Sequence, residues 1–454
     1  MKLRQILTIS VKLKVSFLNK RCISTINNHL NREMSLPRNY FENTGLLKEG
    51  HYNLQVGAPG SKDLAKIATY FEAATESLSK SDKRFGETLQ YGTMPGDKFV
   101  CDEVAKFLSR QYGQTVQSGD LMITPGASMG LLILIRRFTN PDDNMFVENP
   151  TYPVFAKYVT ADKFIKTVPI PMEKDGMDLK VLQEKLEALP KKEVSKRWPF
   201  RALMYVIPTH HNPTGVNYSP EKCRKIVELA RKYNLLVICD DVYNALNYVS
   251  SPSNPTKFEF SPQRLFAYDK KDDADYQGNV VSNGTLSKIV APGLRVGWYE
   301  APKRVIDSLQ DTYDAVSGGG YNPYVSNLTA EVLKSGKIDE HVQHLRVAHK
   351  ERMAAVISTV ETKLGKYGVT ISHPEGGYFL WIKLPENISS AEVLSDSSKN
   401  ENVTFVKGEI ASVVGDFSNY IRLSIAYYEC AEMVKGVEGL CRSIERTINL
   451  KNRL

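Results

Sequence analysis

The chain has 454 residues, more than one hydrophobic core usually covers. With 42% hydrophobic and 24% charged residues it has the composition of an ordinary globular protein, and no run approaches the roughly 18 uncharged apolar residues of a membrane span. The formal charge of +8 does not mark a nucleic-acid face. Seven basic residues (Lys2, Arg4, Lys12, Lys14, Lys20, Arg21, Arg32) precede the first acid, Glu33, leaving about +1 for the rest. Residues 1–32 are basic, hydroxylated and acid-free, the composition of a mitochondrial transit peptide or of a disordered basic tail, and the leader is read as 1–33. The first reading places the protein in the mitochondrial matrix, with processing near RCIST at 21–25. A start at Met34 would give a cytoplasmic form. The six cysteines are scattered, without a C-x-x-C pair or a histidine cluster at metal spacing, so no metal is expected and a reducing compartment fits.

From residue 76 to 316, helical and strand-like segments alternate. Lys98–Tyr112 has helical spacing, Leu121–Thr124 is strand-like, and a Pro125-Gly126 turn leads into a helix over Ala127–Phe138. Met145–Glu148, Ala202–Ile207, Leu235–Cys239 and Val280–Ser282 are short apolar runs suited to strands buried on both faces. Ser219-Pro220-Glu221 opens a helix with a serine cap and a first-turn proline. This alternation predicts an α/β fold with a mainly parallel sheet and helices on both faces. After 317 the pattern changes. Helices are expected at 323–334 and 338–366. Strands are expected at Val369–Ser372, Tyr378–Leu384, Val403–Val406 and Tyr420–Ser424, before a closing helix. Residues 317–454 therefore read as a smaller α+β domain, which 34–75 joins. The stretches 190–197 and 250–278 read as surface insertions.

Ligands of such sheets bind beyond the carboxyl ends of the strands, and four strand ends carry residues fit for one kind of ligand. TPGAS at 124–128 offers backbone N–H groups at a helix start, an anion site. HHNPTG at 210–215 holds the Asn212 amide on a stiff loop. Asp240 ends a buried run, where a carboxylate is costly unless a cation meets it. GTLSKIVAPGLRVGW at 284–298 gathers Thr285, Ser287, Lys288 and Arg295: an amine able to form a Schiff base, beside groups suited to a phosphate. Each feature alone has an ordinary explanation, as a packing turn, a helix cap or a solvated lysine.

Together, over residues 50–445, they resemble the class I/II aminotransferases of fold type I, which depend on pyridoxal 5'-phosphate (PLP). The likeness rests on an ordered set: LQYGTMPG, the Gly-Ala-Ser turn, NPTY, HNPTG, Asp240-x-x-Tyr243, S-K-x-x-x-P-G-L-R and a late R-L-S. It implies that Lys288 is the Schiff-base lysine and the catalytic acid/base. Asp240 would pair with the pyridine nitrogen, and Asn212 and Tyr243 would reach the phenolic oxygen. Tyr152 would stack on the ring. Ala127, Ser128, Thr285, Ser287 and Arg295 would surround the phosphate, with Tyr91 reaching it from the second subunit of a homodimer. Arg422 would clamp the substrate carboxylate, and Gly57 would line the substrate side.

The resemblance is nearest the 2-aminoadipate, kynurenine and aromatic branch, which implies transamination between an L-amino acid and a 2-oxo acid, with glutamate and 2-oxoglutarate as one pair. Two departures fall near the substrate entrance: no Phe-Pro follows VGAPG, and Val406-Lys407-Gly408 stands where Pro-Gly is frequent. Arg38 is a candidate for a side-chain carboxylate by position. A β-lyase or a cyclopropane-forming synthase would share Lys288, Asp240 and Arg422. A non-catalytic regulator of this fold would be expected to add a DNA-binding domain or lose Lys288.

Overall fold

The apolar runs of the first half become strands of one sheet in the computed structural model, which describes residues 50–453 apart from 81, 141–142, 160–164, 191–192 and 196. The leader and Arg38 lie outside the described residues. The chain divides into two units, Met1–Asn53 and Leu54–Leu454. Only residues 50–53 of the first are described; the two sheets and the helices set out below belong to the second.

The large sheet of that unit contains, in chain order, β1 (Leu121–Thr124), β2 (Asp143–Asn149), β3 (Ile165–Glu173), β4 (Gly176–Met177), β5 (Ala202–Val206), β6 (Leu235–Asp240), β7 (Val280–Thr285) and β8 (Gly297–Glu300). Across the sheet the order is β1-β8-β7-β6-β5-β2-β3-β4. Neighbours from β7 to β3 are parallel, while β8 runs against both β1 and β7, and β4 against β3. Strands β5, β6 and β7 are buried along their whole length, as the unbroken apolar runs require.

Alternate strand residues serve opposite faces. Leu203, Tyr205, Leu236 and Ile238 pack with Leu131, Leu134 and Phe138 of helix Ala127–Phe138, and with Val305 and Leu309 of helix Lys303–Gln310. Ala202, Met204, Val206, Val237 and Cys239 pack with Leu182 of helix Leu179–Glu187 and Ile226 of helix Pro220–Tyr233. Helices thus cover both faces, as expected. The helix at Pro220 starts as its sequence indicates: Ser219 Oγ accepts from the Lys222 N–H at 3.2 Å.

A second, antiparallel sheet contains β9 (Thr370–Ile371), β10 (Phe379–Lys383), β11 (Val406–Lys407) and β12 (Tyr420–Ser424), in the order β9-β10-β12-β11. The long helices Lys337–Leu364 and Cys430–Lys451 pack together.

The structure departs from the sequence pattern in three places. Strand β3 escapes that pattern because Pro169 and Pro171 lie within it. The prolines are tolerated because its outer side pairs only at Met172 and Glu173. The expected strand Val403–Val406 is broken into Val403–Thr404 and Val406–Lys407. Residues 250–278 are not wholly a surface insertion. Arg264 forms a buried two-point ion pair with Glu300 of β8, Leu265 is buried, and Asp269 accepts from Arg231 and from the Asn279 N–H. A buried pair of this kind needs both partners and all its hydrogen bonds in place, so this segment is part of the framework. Among the described residues, no helix is long and apolar enough to cross a membrane and no cluster could hold a metal ion.

Candidate active site

Five strand ends open on one side of the large sheet: Thr124 leads to Gly126, Asn149 to Tyr152, Val206 to Asn212, Asp240 to Tyr243, and Thr285 to Lys288. Strand β1 joins this set because β8, antiparallel to both, restores its direction to that of β7.

Asp240 follows Leu236 and Ile238 in strand parity and so shares the face of Tyr205, whose hydroxyl donates to Asp240 Oδ2 at 2.7 Å. Burial pushes the Asp240 carboxyl up to about 6, the Tyr205 hydrogen bond works against this, and the Asp241 charge adds to it. Tyr205 is itself stacked on Phe155, with ring centroids 4.0 Å apart. Lys288 is half-buried, and its Nζ donates to the Gly57 carbonyl at 2.8 Å. Burial lowers its amine to about 8, and the positive charges of Arg422 and Arg295 push the same way, while Asp240 opposes them. An amine poised near neutrality can give and take a proton within a catalytic cycle. The carboxyl raised by burial would be relieved by a cation placed against it.

Arg422 stands on β12 opposite Trp381 of β10 and is buried. Its Nη1 donates to Asn212 Oδ1 at 3.2 Å, its Nη2 donates to the Gln55 carbonyl at 2.6 Å, and its Cζ lies 4.3 Å from the Phe379 ring centroid. Two hydrogen bonds and a ring face fix the plane of the guanidinium, as planar carboxylate recognition requires. Tyr243 is buried, with ring centroids 5.5 Å from Tyr378 and 5.6 Å from Phe379.

A second subsite forms at the start of helix Ala127–Phe138. Gly126 has φ +88°, and a Cβ there would lie 2.7 Å from Arg295 Nη2. Only glycine lets the guanidinium close over this turn. Thr285 Oγ1 and Ser287 Oγ lie 2.9 Å apart, and Arg295 Nη1 donates to Ser287 Oγ at 3.4 Å. Ala127 is buried and Ser128 exposed at the helix N-terminus. A cation, two hydroxyls and helix N–H groups make a cradle for an anion such as phosphate.

The structure therefore brings together the residues predicted to share a site within one chain. Tyr91, expected to reach the phosphate of a second subunit, is 80% exposed. Sequence reasoning misses Tyr205, Phe379 and Tyr378. Tyr205 lies inside an apolar run and reads as core. The only sign of the other two is the glycine pair before them: a Cβ at Gly376 would collide with the His210 ring, so this segment runs hard against the HHNPTG loop.

These features define a PLP-dependent enzyme of fold type I. The family model for aminotransferases of class I and II matches residues 53–440, and the chain belongs to that family. It is 29% identical over 366 residues to aromatic-amino-acid aminotransferase 1 of Thermococcus litoralis, covering 80% of this chain and 82% of that protein. It is 28% identical over 385 residues to the 2-aminoadipate transaminase of Thermus thermophilus, covering 84% and 87%. The kynurenine aminotransferase of Pyrococcus horikoshii, whose crystal structure contains PMP, superposes with a TM-score of 0.75 at 26% identity, covering 91% of this chain and 96% of that one.

Proposed function

We propose that the protein transaminates an L-amino acid of the aromatic, 2-aminoadipate or kynurenine type, with 2-oxoglutarate and glutamate as the second pair. The observation that carries transamination is the meeting of a proton-poised amine, a buried carboxylate and a fixed guanidinium beside an anion cradle. The substrate class is supported by the named relatives.

The residues present fit PLP. The Gly126 turn with Arg295, Thr285, Ser287, Ala127 and Ser128 suits its phosphate, and the raised Asp240 carboxyl suits a protonated ring nitrogen. When bound, PLP supplies an electron sink for the Cα electron pair. Asp240 would hold the proton on the ring nitrogen, and Tyr205 steadies Asp240. Asn212 and Tyr243 would donate to the phenolic oxygen, and Tyr152 would lie against the ring. Arg422 would hold the substrate carboxylate in two points and so orient the Cα bonds. Lys288 would serve as the acid/base that moves the substrate proton. Gly57, the resting partner of the Lys288 amine, borders the space that the substrate enters. In a homodimer, the exposed Tyr91 of the second copy would complete the phosphate site.

Mixing the purified holoenzyme with an amino donor alone should convert the cofactor spectrum to that of its amine form, and 2-oxoglutarate should restore it. Ammonia or pyruvate released without a second substrate would overturn this reading in favour of a lyase. Arg422→Lys should raise KM for donor and acceptor alike by about 10–100-fold, since a point charge replaces a two-point fork. Steady-state kinetics over a panel of donors would check this, and an unchanged KM for both substrates would exclude the clamp.

A further inference from the structure

We propose that Tyr378 is a positioning residue for Lys288: its hydroxyl fixes the backbone from which the reactive amine must swing out and return. The proposal rests on the reading of Lys288 as the lysine that binds the cofactor. Tyr378 OH donates to the Lys288 carbonyl at 2.6 Å, and its ring centroid lies 6.0 Å from Lys288 Nζ. One side chain thus borders both ends of the lysine. It also borders the resting partner of the amine, because Gly57 lies against the same aromatic pair: a Cβ at Gly57 would be 3.6 Å from Tyr378 Cδ2 and 2.7 Å from Phe379 Cζ.

Tyr378 is itself held firmly. It is 1% exposed, with ring centroids 5.5 Å from Tyr243 and 5.2 Å from His349, the latter edge-on. Its carbonyl accepts from the Ile425 N–H at 3.0 Å, and the preceding Gly377 N–H donates to the Leu246 carbonyl at 3.0 Å. Burial raises the phenol far above its ordinary range, so it stays protonated and remains a donor. The anchored partner is a loop residue. Lys288 follows β7 in a turn closed by the Ile289 and Val290 N–H groups donating to the Leu286 carbonyl. A lysine stem has many rotamers. A fixed Cα and carbonyl narrow the directions from which its amine approaches, and misplacement by about 1 Å costs on the order of 100-fold in rate.

Tyr378→Phe keeps the ring and removes only the hydroxyl. We expect kcat to fall about tenfold with KM for the amino donor within twofold of wild type. A second readout uses cofactor-free protein. On adding PLP, the Lys288 amine condenses with the cofactor aldehyde, a C=N bond replacing the C=O bond and the oxygen leaving as water with both amine protons. The rate at which the lysine-linked absorbance appears should also fall about tenfold. Replacing Tyr378 by 3-fluorotyrosine, which keeps the hydroxyl, should retain both rates. If Tyr378→Phe left kcat and the capture rate within twofold of wild type, the proposal would be wrong. It would be equally wrong if melting temperature fell and KM rose in step with the loss of kcat, the pattern of a merely structural residue. Failure of wild-type protein to link the cofactor to Lys288 at all would instead overturn the cofactor reading, an outcome separable because it requires no variant.

Discussion

Lys288→Ala should lower transamination by on the order of 10⁴-fold or more, because one amine serves both as the nucleophile that captures the cofactor and as the group that moves the substrate proton. The loss should fall on kcat, since Arg422 and its partners Asn212 and Gln55 remain to bind the substrate carboxylate. The phosphate cradle of Gly126, Thr285, Ser287 and Arg295 is also untouched, so the variant should retain cofactor by contact alone. Borohydride reduction followed by mass spectrometry separates the two states. Wild-type protein should carry the cofactor mass on the peptide containing Lys288, and the variant should carry none there. A variant that turned over at the wild-type rate would remove Lys288 from the centre of the site.

The residues legible in the sequence are those whose chemistry is carried by a local motif. Lys288 stands among Thr285, Ser287 and Arg295 within eleven positions, and Asp240 ends an apolar run where an ion would not otherwise be placed. Arg422 sits in a short strand whose neighbours Ile421 and Leu423 are buried, so a charge there stands out. What could not be read depends on register between distant segments. Tyr205 becomes the partner of Asp240 only because β5 and β6 pair Tyr205 with Ile238, so that both residues face the same helix layer. Nothing within Ala202–Val206 distinguishes its hydroxyl from a core tyrosine's. Tyr378 immediately precedes β10 of the second sheet, 90 positions from the carbonyl it grips. Strand β3 hid behind its two prolines, and the buried Arg264–Glu300 pair hid in a stretch that is polar by composition. In each case the deciding fact is who lies opposite, and that is fixed by tertiary packing.

Asp240→Asn should move activity and stability in opposite directions. Asparagine keeps the shape and can still accept from Tyr205, but it cannot hold a proton on the cofactor nitrogen. Losing one preorganised electrostatic partner of the reacting group costs about 10²–10³-fold in kcat. The cofactor-free protein should respond the other way. Burial raises the Asp240 carboxyl from 3.8 to about 6. A raised carboxyl favours the folded state below its unfolded value and loses that advantage as pH rises through the folded one. Above about pH 6 the ionised Asp240 therefore opposes folding, by about 3 kcal/mol relative to a neutral isostere. Without cofactor, Asp240→Asn should be more stable than wild type at pH 7, and the gap should close as pH falls towards 4. Paired denaturant titrations at the two pH values measure it. A gap that did not change with pH, or a variant less stable than wild type at pH 7, would mean that Asp240 is not a strained carboxylate awaiting a cation. The expected result would show that the site carries a standing electrostatic cost that only the protonated cofactor relieves, which places cofactor binding among the forces that hold the active site in its folded form.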